Sequence, residues 1–138
     1  MSEQSILYPV FALAFWTSLV LLLIPIVRAR AVKRREIVVD DFKYGESPAV
    51  PCHVSLPNRN YMNLLQAPML FYVACIVAYV AHAASPLALG LAWAYVALRV
   101  VHSVIHLSYN NVIHRLTAFG LSNVVLALLW IMVWQALA

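Results

Sequence analysis

The sequence predicts an all-α integral membrane protein, a bundle of four transmembrane helices, and three observations carry that prediction. Of 138 residues, 64% are hydrophobic and only 10% are charged, whereas a soluble domain carries about 25% charged residues. The apolar residues fall into four long blocks and lack the amphipathic periodicity of soluble helices. Seven of the nine basic residues are gathered between the first two blocks. These features exclude an ordinary soluble domain and leave no room for one beside the helices. The chain is read as one domain, residues 1–138.

Helix one is expected over about 6–27. Ser5 to Val27 has no charged residue across 23 positions, enough for a full crossing at about 1.5 Å rise per residue. Pro9 is near enough to the start to be tolerated, and Pro25 should kink or end the last turn. The N-terminus MSEQS has no basic stretch, and the apolar block is too long for a cleaved signal, so helix one is read as retained. RARAVKRR (28–35) follows at once. Either these residues form a topogenic clamp that snorkels to anionic headgroups, or Arg28 or Arg30 extends the helix and reaches a ligand.

Residues 28–58 are expected to form a loop. Four of the five acids (Glu36, Asp40, Asp41, Glu46) and three prolines lie within it, and a loop of this length in so small a protein is often functional. Cys52 and His53 have no second Cys or His pair at ligand spacing, so no metal site is expected there. A disulfide between Cys52 and Cys75 is not expected either on compartment grounds, with Cys52 in a loop read as cytoplasmic and Cys75 inside helix two.

Helix two is expected over 59–83. Arg59, Asn63 and Gln66 stand at i, i+4 and i+7 and share one azimuth, read as a polar cluster facing the bundle ahead of the apolar run from Pro68. Helix three is expected over 86–108, its alanines and Gly90 permitting close packing. Trp93 and Tyr95 read as packing or belt residues. Helix four is expected over 113–137, with Arg115, Phe119 and Ser122 on one face and Trp130 and Trp134 as an aromatic anchor. The turn at 82–86 has no Lys or Arg. The positive-inside rule therefore places the basic loop in the cytoplasm and both termini outside it. The net charge of +4 is a topology signal, and no nucleic-acid partner is expected.

Chemistry concentrates in RVVHSVIHLSYNNVIHR (99–115). At about 100° per residue, Arg99, His102, Ser103, His106 and Asn110 lie within roughly 60° of one line. Tyr95 joins the stripe a turn earlier and Tyr109 borders it. No Asp or Glu falls within any expected helix, which excludes a carboxylate pair or proton relay inside the membrane. An unpaired arginine costs about 2.5–3.5 kcal/mol near the bilayer centre. Arg99 and Arg115, with Arg59 converging on them, must therefore snorkel to lipid phosphates or receive an anionic ligand. His102 and His106 at i, i+4 could also ligate a metal or haem, with His114 as a third ligand. No acid or cysteine supports that, so a hydrogen-bonding role is preferred and no metal is expected.

These residues carry a family resemblance. Arg59-x3-Asn63-x2-Gln66-x-Pro68 resembles the R-x3-N-x2-E-x2-P signature that opens helix two in the membrane-associated proteins in eicosanoid and glutathione metabolism (MAPEG). Residues 99–119 resemble that family's passage from helix three to helix four, with Arg99, His102 and Arg115 at its usual relative positions. The likeness is to a divergent, bacterial-type member, which implies the bacterial inner membrane as its location. It further implies a homotrimer with a glutathione pocket between neighbouring subunits, towards the cytoplasmic side. Arg115 matches the arginine that stabilises the thiolate, which attacks a lipophilic electrophile arriving from the lipid. Arg59, Asn63, Gln66, Arg99, His102 and His106 would hold the ligand, and glutathione would be co-substrate rather than resident cofactor.

The sequence departs from the pattern in ways that bear on activity. Gln66 replaces a glutamate, the proline comes one residue early, and His106 and Phe119 stand where many catalytic members have tyrosines. Two functions are carried forward: a membrane-bound transferase or peroxidase using glutathione or a related thiol, and a non-catalytic member that binds lipid or another anionic ligand or scaffolds a membrane partner. A histidine-ligated redox protein is a distant third.

Overall fold

The computed structural model describes residues 2–137 and is helical nearly throughout. A 3-10 turn at Glu3–Leu7 leads into α1 (Tyr8–Lys33). A loop with one further 3-10 turn, Val39–Phe42, precedes α2 (Cys52–Gln66) and α3 (Pro68–Val80), which form one span interrupted at Ala67. α4 (Pro86–Leu107) and α5 (Val112–Leu137) complete the chain. Four helical segments are long and apolar enough to cross a membrane.

The two largest departures from the expected boundaries both lie around the basic loop. α1 does not end at Pro25 or Val27 but continues to Lys33. Pro25 forfeits a single backbone bond, and the alanines and arginines beyond it are good helix formers. The helix stops at Arg35, whose φ of 60° is left-handed. There the N–H of Glu36 donates to the carbonyl of Ala31 at 3.0 Å, closing the end as a Schellman-type turn does. α2 begins at Cys52 rather than Arg59, with Pro51 at its N-cap and Pro57 inside it. The loop thus shrinks to 34–51. It is anchored by a small apolar cluster of Ala31, Ile37, Val50 and Val54 and by His53 against Glu36 at 2.8 Å.

The main core is built from narrow stripes. α1 buries Leu13, Thr17, Val20 and Ile24, and α5 buries Ala118, Ser122, Leu126, Leu129 and Val133. Each stripe follows the three-to-four spacing of one helix face. α4 is the central helix, packing on α1, α2 and α5. Ser85 caps it by accepting from the N–H of Ala88 at 3.1 Å, with Pro86 in the first turn, where no N–H is needed.

Tyr95 is fully buried and stacks on Phe71 with ring centroids 4.5 Å apart, so its ring is a packing element while Trp93 is exposed. The Tyr95 hydroxyl has no hydrogen-bond partner. A buried hydroxyl without a partner costs about 1–3 kcal/mol. Tyr95→Phe is therefore expected to raise the stability of the detergent-solubilised protein by about 1 kcal/mol, as read by denaturant unfolding.

Because the four spans alternate in direction, loop 34–51 and turn 108–111 lie at one end of the bundle. The opening 3-10 turn and turn 81–85 lie at the other, where His82 Nδ1 meets Glu3 Oε2 at 2.7 Å. The polar residues of α4 lie towards the first of these ends.

Candidate functional site

The site begins with the break between α2 and α3. Pro68 has no N–H to offer the carbonyl of Leu64, and carbonyls in the last turn of a helix are open to outside donors. Arg99 uses one of them. It is fully buried, 0% exposed, and its Nη2 donates both to the Asn63 backbone carbonyl at 2.9 Å and to Asn63 Oδ1. The guanidinium also lies 5.6 Å from the centre of the Phe119 ring, within cation–π range. The sequence allowed only lipid or an anionic ligand as receivers for this arginine. The structure supplies a third, an asparagine of its own chain.

The turn between α4 and α5 places the second arginine. α4 ends at Leu107, so Asn110 does not extend the helical stripe. Instead it takes a left-handed φ of 49° and its N–H returns to the Ile105 carbonyl at 2.8 Å, a conformation asparagine tolerates better than most residues. Asn111 then caps α5, Oδ1 accepting from the N–H groups of Ile113 at 3.0 Å and His114 at 3.1 Å. One helical turn on, Arg115 Nη1 donates to Asn110 Oδ1 at 2.6 Å. Paired asparagines thus do two jobs, closing one helix and aiming the arginine of the next.

His102 joins the two helices. Its Nδ1 lies 3.0 Å from the Arg115 carbonyl. Only a protonated Nδ1 can bond there, which makes Nε2 the lone-pair nitrogen of the neutral ring. Nε2 is buried without a partner, as are Nδ1 of His106, Nε and Nη1 of Arg99, and Nε of Arg115. The two imidazoles meet edge to face at 5.9 Å. A cavity of about 220 Å³ opens against this group, lined by Asn63, His102, Val112, Arg115, Leu116 and Phe119. Its floor is an amide, an imidazole and a guanidinium. Its rim is apolar, and Val112 and Leu116 are largely exposed on the outer surface of the bundle.

Of the residues the sequence singled out, Asn63, His102 and Arg115 reach the cavity directly, and Arg99 stands behind Asn63. His106 is buried beside them, within electrostatic reach of both Arg59 and Arg115. Of the three residues expected to face the bundle on α2, only Asn63 turns towards it: Arg59 and Gln66 are exposed, whereas Leu64 is fully buried. The inward polar residue of α2 that sequence reasoning passed over is Asn60, fully buried, whose Nδ2 donates to Ser103 Oγ. Its signal was available, since Asn60 lies three residues before Asn63 and thus on the same side of the helix.

The MAPEG family model matches residues 6–134, nearly the whole chain. No curated protein and no solved structure matches it.

Proposed function

The chain belongs to the MAPEG family, and from that premise we propose that it is a membrane-bound transferase or peroxidase using glutathione or a related thiol against a lipophilic electrophile. The family contains glutathione transferases and peroxidases as well as other members. The observation that carries the reading is the mixed lining of the cavity. Arg115 and His102 supply cationic and imidazole groups, Val112, Leu116 and Phe119 supply apolar surface beside them, and no carboxylate lines it. A thiol held against Arg115 is ionised more readily because the thiolate is stabilised by the adjacent charge. The thiolate sulfur then forms the new bond to the electrophilic centre, the thiol proton having passed to solvent, while the electron pair of the bond broken at that centre departs with the leaving group, or with the second oxygen where the electrophile is a hydroperoxide. The apolar rim lets a lipid-dissolved electrophile approach without crossing water.

In this reading Arg115 acts on the thiol, while Asn63, His102 and His106 hold the peptide portion. Arg99 positions Asn63 instead of touching the ligand. At about 220 Å³ the cavity is smaller than the roughly 300–1,000 Å³ typical of ligand pockets, so a tripeptide needs a further wall. A neighbouring subunit of a homotrimer would supply it, and would bring the exposed Arg59 and Gln66 into the binding surface. The basic loop and the site then face the cytoplasm, with both termini outside.

One observation favours the non-catalytic alternative. Phe119, which lines the cavity, offers no hydroxyl, so the reacting sulfur has the Arg115 guanidinium but no second donor from that position. Titrating purified wild-type protein with millimolar glutathione decides between the two. The ultraviolet absorbance of a thiolate, saturating with glutathione, is the expected result. No binding at that concentration overturns the enzyme reading.

A further inference from the structure

A second cavity lies outside this site, where α1 meets the loop. It has a volume of about 450 Å³, and Ile24, Pro25, Ala29, Val39 and Phe42 are among its walls, with Arg28 as the one charged group lining it. The sequence left two roles open for the basic run, a diffuse headgroup clamp or a ligand contact by Arg28 or Arg30, and the continuation of α1 to Lys33 separates these residues. Arg28 is turned under the loop. Its guanidinium sits 4.0 Å over the Phe42 ring, and its Nη2 reaches Glu46 Oε2 only at 3.5 Å, long for a charge-assisted bond. Its Nε is buried without a partner. Arg30 and Lys33 do not line the cavity and are exposed.

We infer that this groove is a binding site for an acidic phospholipid, with the phosphate on Arg28 and the start of an acyl chain along Ile24, Pro25 and Ala29. Three observations select that occupant. The groove lies on α1, whose Leu21 and Leu22 are exposed on its apolar length, so its wall is continuous with an exposed apolar surface. It closes at the point where the apolar span gives way to the basic run, which is the depth of headgroups. Its single charge is a guanidinium seated over Phe42, with N–H groups in the fork that matches a phosphate. The volume falls within the range of built ligand pockets. The site is separate from the cavity at Arg115 and does not depend on glutathione binding.

The test uses the full-length protein in nanodiscs of phosphatidylcholine doped with phosphatidylglycerol, followed by extraction and native mass spectrometry of retained lipid. Wild-type protein should retain about one phosphatidylglycerol per chain. Arg28→Gln, which removes the charge, and Ala29→Trp, which fills the groove while keeping the charge, should each lower retention at least tenfold. Arg30→Gln and Lys33→Gln should change it less than twofold. Equal retention of the two lipids overturns the proposal, as does full retention in Ala29→Trp. Losses in Arg30→Gln or Lys33→Gln matching those in Arg28→Gln would reveal a diffuse basic patch and overturn it too. So would efficient disulfide crosslinking between subunits through Ala29→Cys, which would mean that a second copy covers the groove.

Discussion

Arg115→Ala is expected to remove the thiolate absorbance of bound glutathione and to cut transferase turnover at pH 7 by about 25-fold or more. The figure follows from ionisation alone. A thiol with a pKa of about 8.5 is only about 3% thiolate at pH 7, and lowering it by about 2 units beside a cation brings it to roughly 75%. Arg115 is suited to this role because Nη1 is tethered to Asn110 at 2.6 Å while the residue as a whole is only half-buried on the cavity wall. Arg115→Lys keeps the charge but not the planar fork, so an intermediate loss is expected. Asn110→Ala keeps the arginine and frees its aim, and should fall between the wild type and Arg115→Ala. If all three variants bind glutathione with a thiolate band equal to that of the wild type, Arg115 is not the group that ionises the thiol. Circular dichroism of each variant checks that the bundle is intact.

The fold was legible because membrane spans are written in bulk composition. Uncharged runs of more than 20 residues admit few structures in lipid, where every backbone group must bond within its own segment. The limits of those runs were less legible, because charge does not stop a helix. The basic run at 28–35 marks the end of the apolar span, but its alanines and arginines continue α1 until Arg35 turns left-handed. Similarly, α2 does not wait for Arg59 but runs through Pro57 at its sixth position, which forfeits the one bond to the His53 carbonyl.

The site was legible as a set of residue types and less so as a geometry. The α4 stripe was read as one face, and Arg99, His102, Ser103 and His106 are indeed all inside, but Asn110 lies beyond the end of the helix. On α2, the shared azimuth of Arg59, Asn63 and Gln66 did not say which neighbour that azimuth met. Packing against α4 draws Asn60 and Leu64 inward and leaves Arg59 and Gln66 at the rim. The role of Asn63 as receiver for Arg99 rests on its Oδ1 and on its backbone carbonyl in the last turn of α2. That pairing joins two residues 36 positions apart, and no local pattern encodes it.

Asn63→Leu is expected to destabilise the protein by about 3 kcal/mol, and the double variant Asn63→Leu/Arg99→Met should recover most of that loss. Arg99 is fully buried with both of its hydrogen bonds on Asn63. Leucine leaves the backbone carbonyl but removes Oδ1, so a guanidinium in the apolar interior keeps one acceptor where it had two. Losing a hydrogen bond to a charged group costs about 1.5–3 kcal/mol, and an unpaired arginine deep in a bilayer costs about 2.5–3.5 kcal/mol. Arg99→Met alone leaves only a neutral amide short of a donor, for about 1–2 kcal/mol. The cycle should then show a coupling of more than about 1 kcal/mol, measured by denaturant unfolding in mixed micelles without glutathione. A change below about 0.5 kcal/mol for Asn63→Leu would mean that something other than Asn63 receives the charge of Arg99. The proposed division of labour, with Arg99 holding the cavity wall and Arg115 acting on the thiol, would then have to be redrawn. A strong coupling with the glutathione affinity of Arg99→Met lowered only modestly would support it, because a positioning residue acts on its neighbour first and on the ligand only through that neighbour.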